Sequence, residues 1–349
     1  MNEKQFDLTL FQDYLMEWVN QFSINQDIGN FTYKPIKNKN KAKDKKPRLY
    51  ASSDMVFTLY ITNELKGYID SANGKINHWM KIIQDFQGYK NGWFKQGLWN
   101  YDNFHFKEHS TAFAASALKL LGGKPKHKLK FLDKLNTREK VEKWLKGIEW
   151  GLLFWSGSHR GGGVAAYILT TGEIPNKRFF RWYFNWLDQE ADPKVGFWRR
   201  SWLHRIFKNR LTRNELGGSI HFYWIYQFMD HPIPYPEKVI DSTLKLQNEL
   251  GLWGKNVSYC VDLDAIYCLT RCSRQINNYR EKDIYQAILK YLDYTVPSLN
   301  NKEFLFNKYK NTHKITGCLC AIAEIQKFYP ELILTKKPWR QSLDITPWI

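Results

Sequence analysis

Two kinds of helical pattern alternate along this chain. In the first, apolar residues recur at i, i+3, i+4 and i+7, as Val141, Trp144, Leu145 and Ile148 do. That is the single apolar stripe of a helix with one face on a core and the other in water. Segments of this kind lie at 6–22, 75–86, 138–148, 177–187, 237–247 and 282–294. The second kind is apolar or small nearly all round. Its members begin near Ser53 (SDMVFTLYITNEL), His109 (HSTAFAASALKLL), Ser158 (SHRGGGVAAYILTTG), Gly218 (GSIHFYWIYQFM), Asp262 (DLDAIYCLTRCS) and His313 (HKITGCLCAIAEIQKF). A helix without a polar face has to be buried. The buried kind recurs roughly every 45–60 residues, the period of stacked two-helix units. Six outer and six inner helices in alternation predict an all-α fold, an (α/α)6 toroid, in one domain over 1–349. A basic loop at about 34–48 and an irregular tail from about residue 331 complete it. β-Hairpin signals are sparse, which argues against a sheet protein.

Superimposed on the helices is a shorter repeat. The segments 83–94 (IQDFQGYKNGWF), 186–198 (WLDQEADPKVGFW) and 244–254 (LKLQNELGLWG) share an apolar helix end, a Gln, a polar link, then Gly and a ring. A weaker copy at 144–155 (WLKGIEWGLLFW) lacks the Gln. The pattern predicts a Gly-bearing turn after each outer helix, with Trp93, Trp198 and Trp253 folded back to pin it. These repeats, QNELGLWG above all, resemble those of squalene/terpene cyclases and protein prenyltransferase β-subunits, the α-α toroid families. The resemblance covers 54–330. It implies the toroid fold and a cavity that takes an isoprenoid or similarly apolar substrate. The length suits one toroid, whereas squalene cyclases use two.

If the inner helices run the same way, their N-termini gather at one mouth, where six helix dipoles present their positive ends. Polar residues recur at those starts: Asp54; Glu108 and His109; His159 and Arg160; His221; Asp262 and Asp264; His313. Against the prenyltransferase pattern, Asp262 matches the family's Asp and His313 its His, while Asp264 stands where the family has a thiolate. The resemblance therefore implies a divalent-metal site of Asp262, Asp264 and His313, harder than a zinc-thiolate centre and suited to Zn²⁺, Mn²⁺ or Fe²⁺. Against the class II terpene cyclases, Asp262-Leu263-Asp264-Ala265 keeps two acids of an Asp-x-Asp-Asp motif, and Asp264 would be the general acid. Asp54, His109, His159 and His221 are further catalytic candidates. Glu108 and Arg160, with the rings Phe57, Phe222, Tyr223, Trp224 and Tyr267, would bind substrate. Cys260 is a nearby thiol. The glycines Gly161 to Gly163 permit close approach of a ligand or of a neighbouring helix.

Composition opens a second class of function. With 52 Lys+Arg against 34 Asp+Glu, the formal net charge is +18, and Trp 15, Tyr 20 and Phe 22 make the chain 16% aromatic. Such a balance suits an anionic partner: a charged headgroup, a membrane surface touched peripherally, or an acidic glycan. Because (α/α)6 barrels also host glycoside hydrolases and polysaccharide lyases, a carbohydrate-active enzyme is the alternative. A toroid that only binds is a third reading. No motif of sequence-specific nucleic-acid recognition accompanies the charge. The five cysteines are odd in number and crowd the C-terminal third, and residues 1–14 are not a signal peptide. A cytoplasmic protein is expected.

Overall fold

The computed structural model describes residues 4–36, 46–72, 74–96, 105–201, 206 and 211–349. Most of the basic run at 34–48 lies outside them. Helices dominate: α1 (Thr9–Asn20), α2 (Leu49–Ile61), α3 (Leu65–Ser71), α4 (Ile76–Gln84), α5 (Lys107–Leu120), α6 (Arg138–Lys146), α7 (Phe154–Gly157), α8 (Val164–Thr171), α9 (Phe179–Glu190), α10 (Arg213–Phe228), α11 (Pro236–Lys245), α12 (Cys260–Gln275), α13 (Glu281–Asn300), α14 (Lys302–Lys308) and α15 (Thr312–Phe328). The strands among the described residues are β1 (Phe6–Asp7) and β2 (Ile333–Leu334), a parallel pair in register Phe6 with Ile333.

Both helical patterns have the expected burial. Helices α2, α5, α10, α12 and α15 are buried along nearly their whole lengths. Helix α6 buries only Val141 and Leu145, and α13 a stripe through Ile284, Ile288, Tyr291 and Leu292. The apolar helices pack in chain order: α2 on α5, α5 on α8, α10 on α12, α12 on α15, and α15 back on α2. The link between α8 and α10 is a π-helical turn, His159–Gly163, which touches both α5 and α10. Its glycines explain the contact. A Cβ on Gly162 would stand 2.6 Å from the His221 carbonyl oxygen, and one on Gly163 2.7 Å from that of Glu108. The three glycines therefore serve helix approach rather than a ligand.

Local chemistry sets the helix starts. Thr212 and Glu215 form a capping box on α10, and the Asn311 side chain accepts the His313 N–H at the start of α15. Two inner helices begin a turn or more before the expected residue. Asp54 is thus the sixth residue of α2 and His221 the ninth of α10, so both project from inside the helix layer rather than from its rim.

The repeat turns follow one plan. In two copies a Gln amide bridges the turn to the next unit: Gln87 donates to Gly92 O and His127 O, and Gln247 to Gly251 O and Ala287 O. Gly92, Gly196 and Gly251 all have φ near +80°. The ring two residues on is fully buried, and its backbone N–H is accepted by the following inner helix. Thr111 accepts from Phe94, Ser219 from Trp198 and Asp262 from Trp253. In the first copy the pin is therefore Phe94 rather than Trp93, which packs outward on Phe131. Gly251→Ala puts a Cβ 2.4 Å from the Lys290 carbonyl oxygen at a left-handed φ of +81°. We expect it to cost about 3 kcal/mol, read as a lower urea midpoint at unchanged slope.

Candidate metal centre

Three histidines from two helix starts converge. His105 lies two residues before α5 and His109 in its first turn, and their rings stack at 4.1 Å and 6°. His313, the second residue of α15, stands edge-on at 5.1 Å from His105 and 5.9 Å from His109. One ligand nitrogen of each lies within 4.8 Å of the other two. A tetrahedral zinc-type centre places its ligand atoms ~3.4 Å apart, so these rings need only close by roughly an ångström.

Two of the three are held by partners on the far ring nitrogen. Fully buried Asp54 takes the His313 Nδ1–H at 2.8 Å on one oxygen and the Thr312 hydroxyl at 2.6 Å on the other. Tyr50 reaches His109 Nδ1 at 3.0 Å and Ser110 Oγ at 3.0 Å, and Ser110 in turn donates to the Phe106 carbonyl. Nδ1 of both rings is thus engaged and Nε2 is left for a ligand, the arrangement by which outer partners orient metal-binding imidazoles. His105 Nδ1 is buried with no hydrogen-bond partner among the described residues, and an orphaned buried nitrogen needs an account.

The opposite wall is also polar. His159 and His221 continue the cluster, His159 lying 4.7 Å from His109 and 4.8 Å from His221 between ring centres. Ser158 donates to Trp155 O and accepts the His221 Nδ1–H at 2.7 Å. His159 Nδ1 and Asp264 Oδ2 are buried and unpartnered among the described residues. Together with Trp155, Trp224, Cys260 and Ile349 these residues enclose a cavity of about 30 Å³. That is room for an ion with a water, or for a water or two. Burial and mutual repulsion hold His105, His109 and His159 well below the usual imidazole range, and His221 falls to about 3. Uncharged imidazole is the metal-binding form. Asp264 is pushed well above the carboxylate range by burial and by Asp262.

The structure redistributes the expected site. His109, His159, His221, His313, Trp224 and Asp264 line the cavity, and Asp54 stands directly behind it. Asp262 does not join them as a ligand or an acid. Its oxygens accept the backbone N–H groups of Trp253, Gly254 and Tyr259, so it does in the fifth unit what Thr111 and Ser219 do in theirs. Among the described residues the group that could hold a metal ion is therefore His105, His109 and His313, not Asp262, Asp264 and His313. Glu108 and Arg160 do not line the cavity, and Arg160 is exposed with its guanidinium over Phe106. Phe57 stacks on Phe113, Phe222 packs among Trp150, Phe154 and Trp198, Tyr223 donates to Gly196 O, and Tyr267 lies under Arg271. These four rings build the core. His105 and Tyr50 are additions, and the spacing of His105 and His109, four residues apart at a helix start, is the signal that reveals the first.

No protein-family model, no curated protein and no solved structure matches this chain. Among the described residues no helix is long and apolar enough to cross a membrane. The cysteines form no disulfide, and burial raises their thiols. Cys268, Cys272, Cys318 and Cys320 should resist a thiol reagent in the native state, and all five should react once urea unfolds the chain.

Proposed function

We propose that this chain is a metal-dependent enzyme on an (α/α)6 toroid, with His105, His109 and His313 holding one divalent ion of the Zn²⁺, Fe²⁺ or Mn²⁺ class. The observation that carries the reading is the convergence of three imidazoles, two of which have their far nitrogens engaged by Asp54 and Tyr50. A bound ion with a free coordination position would supply Lewis-acid polarisation and an activated water. The residues across the cavity suit proton handling. His159 and His221 are uncharged imidazoles facing the cavity, and Asp264 is a carboxyl free of competing hydrogen bonds on its buried oxygen. Cleavage of a polar bond presented at the cavity, by hydrolysis or elimination, fits this set better than protonation of an alkene. The cyclic packing of α2, α5, α8, α10, α12 and α15, with amphipathic helices outside it, supports the toroid.

The terpene cyclase- or prenyltransferase-like reading on an isoprenoid is the second. It is favoured by the apolar side chains, Trp348 and Ile349, that the interior already accommodates. The anionic-glycan alternative rests on charge and on the fold class.

The test is metal analysis of the purified protein, followed by titration of chelator-stripped protein with Co²⁺. One ion per chain and the visible absorption of a nitrogen-ligated, low-coordinate Co²⁺ are expected. Octahedral, weakly bound Co²⁺ that His109→Ala leaves unchanged would refute the centre.

A further inference from the structure

The last nine residues cross the interior. Gln341 donates to Glu324 at 2.8 Å and Asp344 meets Arg271 at 3.2 Å, both at the C-terminal halves of α15 and α12. The turn Ser342–Asp344 then touches α2 and α10, which stand three places apart in the order of six, so the turn lies between opposite helices. Beyond it Trp348 is completely buried. Its indole stacks on His221 at 4.8 Å and 24°, and meets His109 at 5.3 Å and Trp224 at 5.5 Å edge-on. Ile349 lines the cavity.

The Trp348 Nε1–H is buried with no acceptor among the described residues, as are those of Trp186, Trp224 and Trp339. Backbone tethering also stops short. Thr346 N–H still bonds Ser342 O, but Pro347 has no N–H and no backbone bond from Trp348 or Ile349 forms among the described residues. The Trp348 carbonyl accepts from the Thr346 hydroxyl at 3.3 Å, and residues 347–349 are otherwise held by packing, just beyond an exposed Ile345. Segments with few backbone hydrogen bonds are those from which local opening short of global unfolding is drawn.

We propose that residues 346–349 are a displaceable plug in the ligand channel, and that the space of Trp348 receives a planar aromatic ring of the substrate, stacked on His221 beside the metal centre. The inference deepens the metal-enzyme reading and rests on it for the reaction alone. With the plug seated, the cavity takes only water-sized groups. With it withdrawn, the imidazoles of His109, His159 and His221 wall a slot one indole wide.

The test is Trp348→Ala, with free indole as the probe and chelator present. The variant should melt below the wild type and regain several degrees with saturating indole at 1:1 stoichiometry by calorimetry, while wild type gains nothing. A variant that keeps its far-UV circular dichroism but binds no indole overturns the proposal. So does one protected by a linear isoprenoid alcohol and not by indole. Should Trp348→Ala not fold, Ile349→Cys in the otherwise intact chain decides the matter. Labelling of the introduced thiol should run at least tenfold faster than global unfolding, and labelling at the unfolding rate overturns the plug. Because no arm uses metal, failure of these tests sinks only the plug, and failure of the Co²⁺ titration only the metal centre.

Discussion

His313→Ala should lower the affinity for Zn²⁺ at least a hundredfold, and Asp54→Asn should lower it between ten- and a hundredfold with all three ligands in place. The first removes a ligand. The second removes only the carboxylate that takes the His313 Nδ1–H at 2.8 Å, and outer partners of this kind are worth about that factor. Tyr50→Phe is the milder companion, because it leaves His109 Nδ1 without its 3.0 Å partner. His221→Ala lies outside the ligand set and should bind Zn²⁺ like the wild type. Competition against a chromophoric chelator measures all four. Equal affinities for wild type and Asp54→Asn would mean that the pair with His313 is structural.

The second large effect is expected far from the centre. Glu324 is fully buried and accepts from Arg271 through two guanidinium nitrogens at 2.6 and 2.8 Å, from Thr270 at 2.9 Å and from Gln341 at 2.8 Å. Four donated bonds on one desolvated carboxylate leave it well satisfied. Removing its charge leaves the Arg271 guanidinium, whose side chain is only 11% exposed, with Asp344 at 3.2 Å as its remaining carboxylate partner. Glu324→Gln should cost about 3–5 kcal/mol, seen as a large fall in the urea midpoint. Arg271→Met combined with Glu324→Leu should recover much of that loss, since two apolar side chains leave no buried charge unpaired. The same carboxylate anchors the tail through Gln341, so Glu324→Gln should also speed labelling of the thiol introduced by Ile349→Cys when the two substitutions are combined. A wild-type midpoint for Glu324→Gln would show that the network contributes nothing net.

These two sites were unequally legible in the sequence. The outer helices 138–148 and 237–247 were readable because one apolar stripe at helical spacing has a single stable placement. The all-α class followed from that alternation, and so did the Gly turns, since Gly251 and its counterparts require a backbone conformation that few other residues adopt. Positions His109, His159, His221 and His313 were visible as recurrent polar residues on otherwise apolar helices. Their grouping in one cavity depends on how the helices pack.

What position alone could not convey was each side chain's role. Asp262 and Asp264 are two residues apart on one helix, and both read as acids at its start. Three backbone N–H groups of the preceding turn claim Asp262, while Asp264 projects one residue pair further into the cavity with an oxygen unclaimed. Only the fold of 253–259 over the helix end separates them. Likewise the rings of Phe57 and Tyr267 belong to inner helices, as a lining would require, yet helix rotation turns them into packing.

The sequence by itself determined the helical class, the order of buried and amphipathic helices, and the turn chemistry between them. Each of these is a local property, set by periodicity and by backbone preference within a few residues. The tertiary structure alone decided which polar residues face one another. It grouped His105 and His109, rather than Asp262 and Asp264, with His313, put Asp54 behind His313 across 259 residues of chain, and brought Trp348 from an irregular tail onto His221. Such contacts are long-range and depend on the rotation of each helix about its axis, and no stretch of sequence short enough to read locally contains both partners.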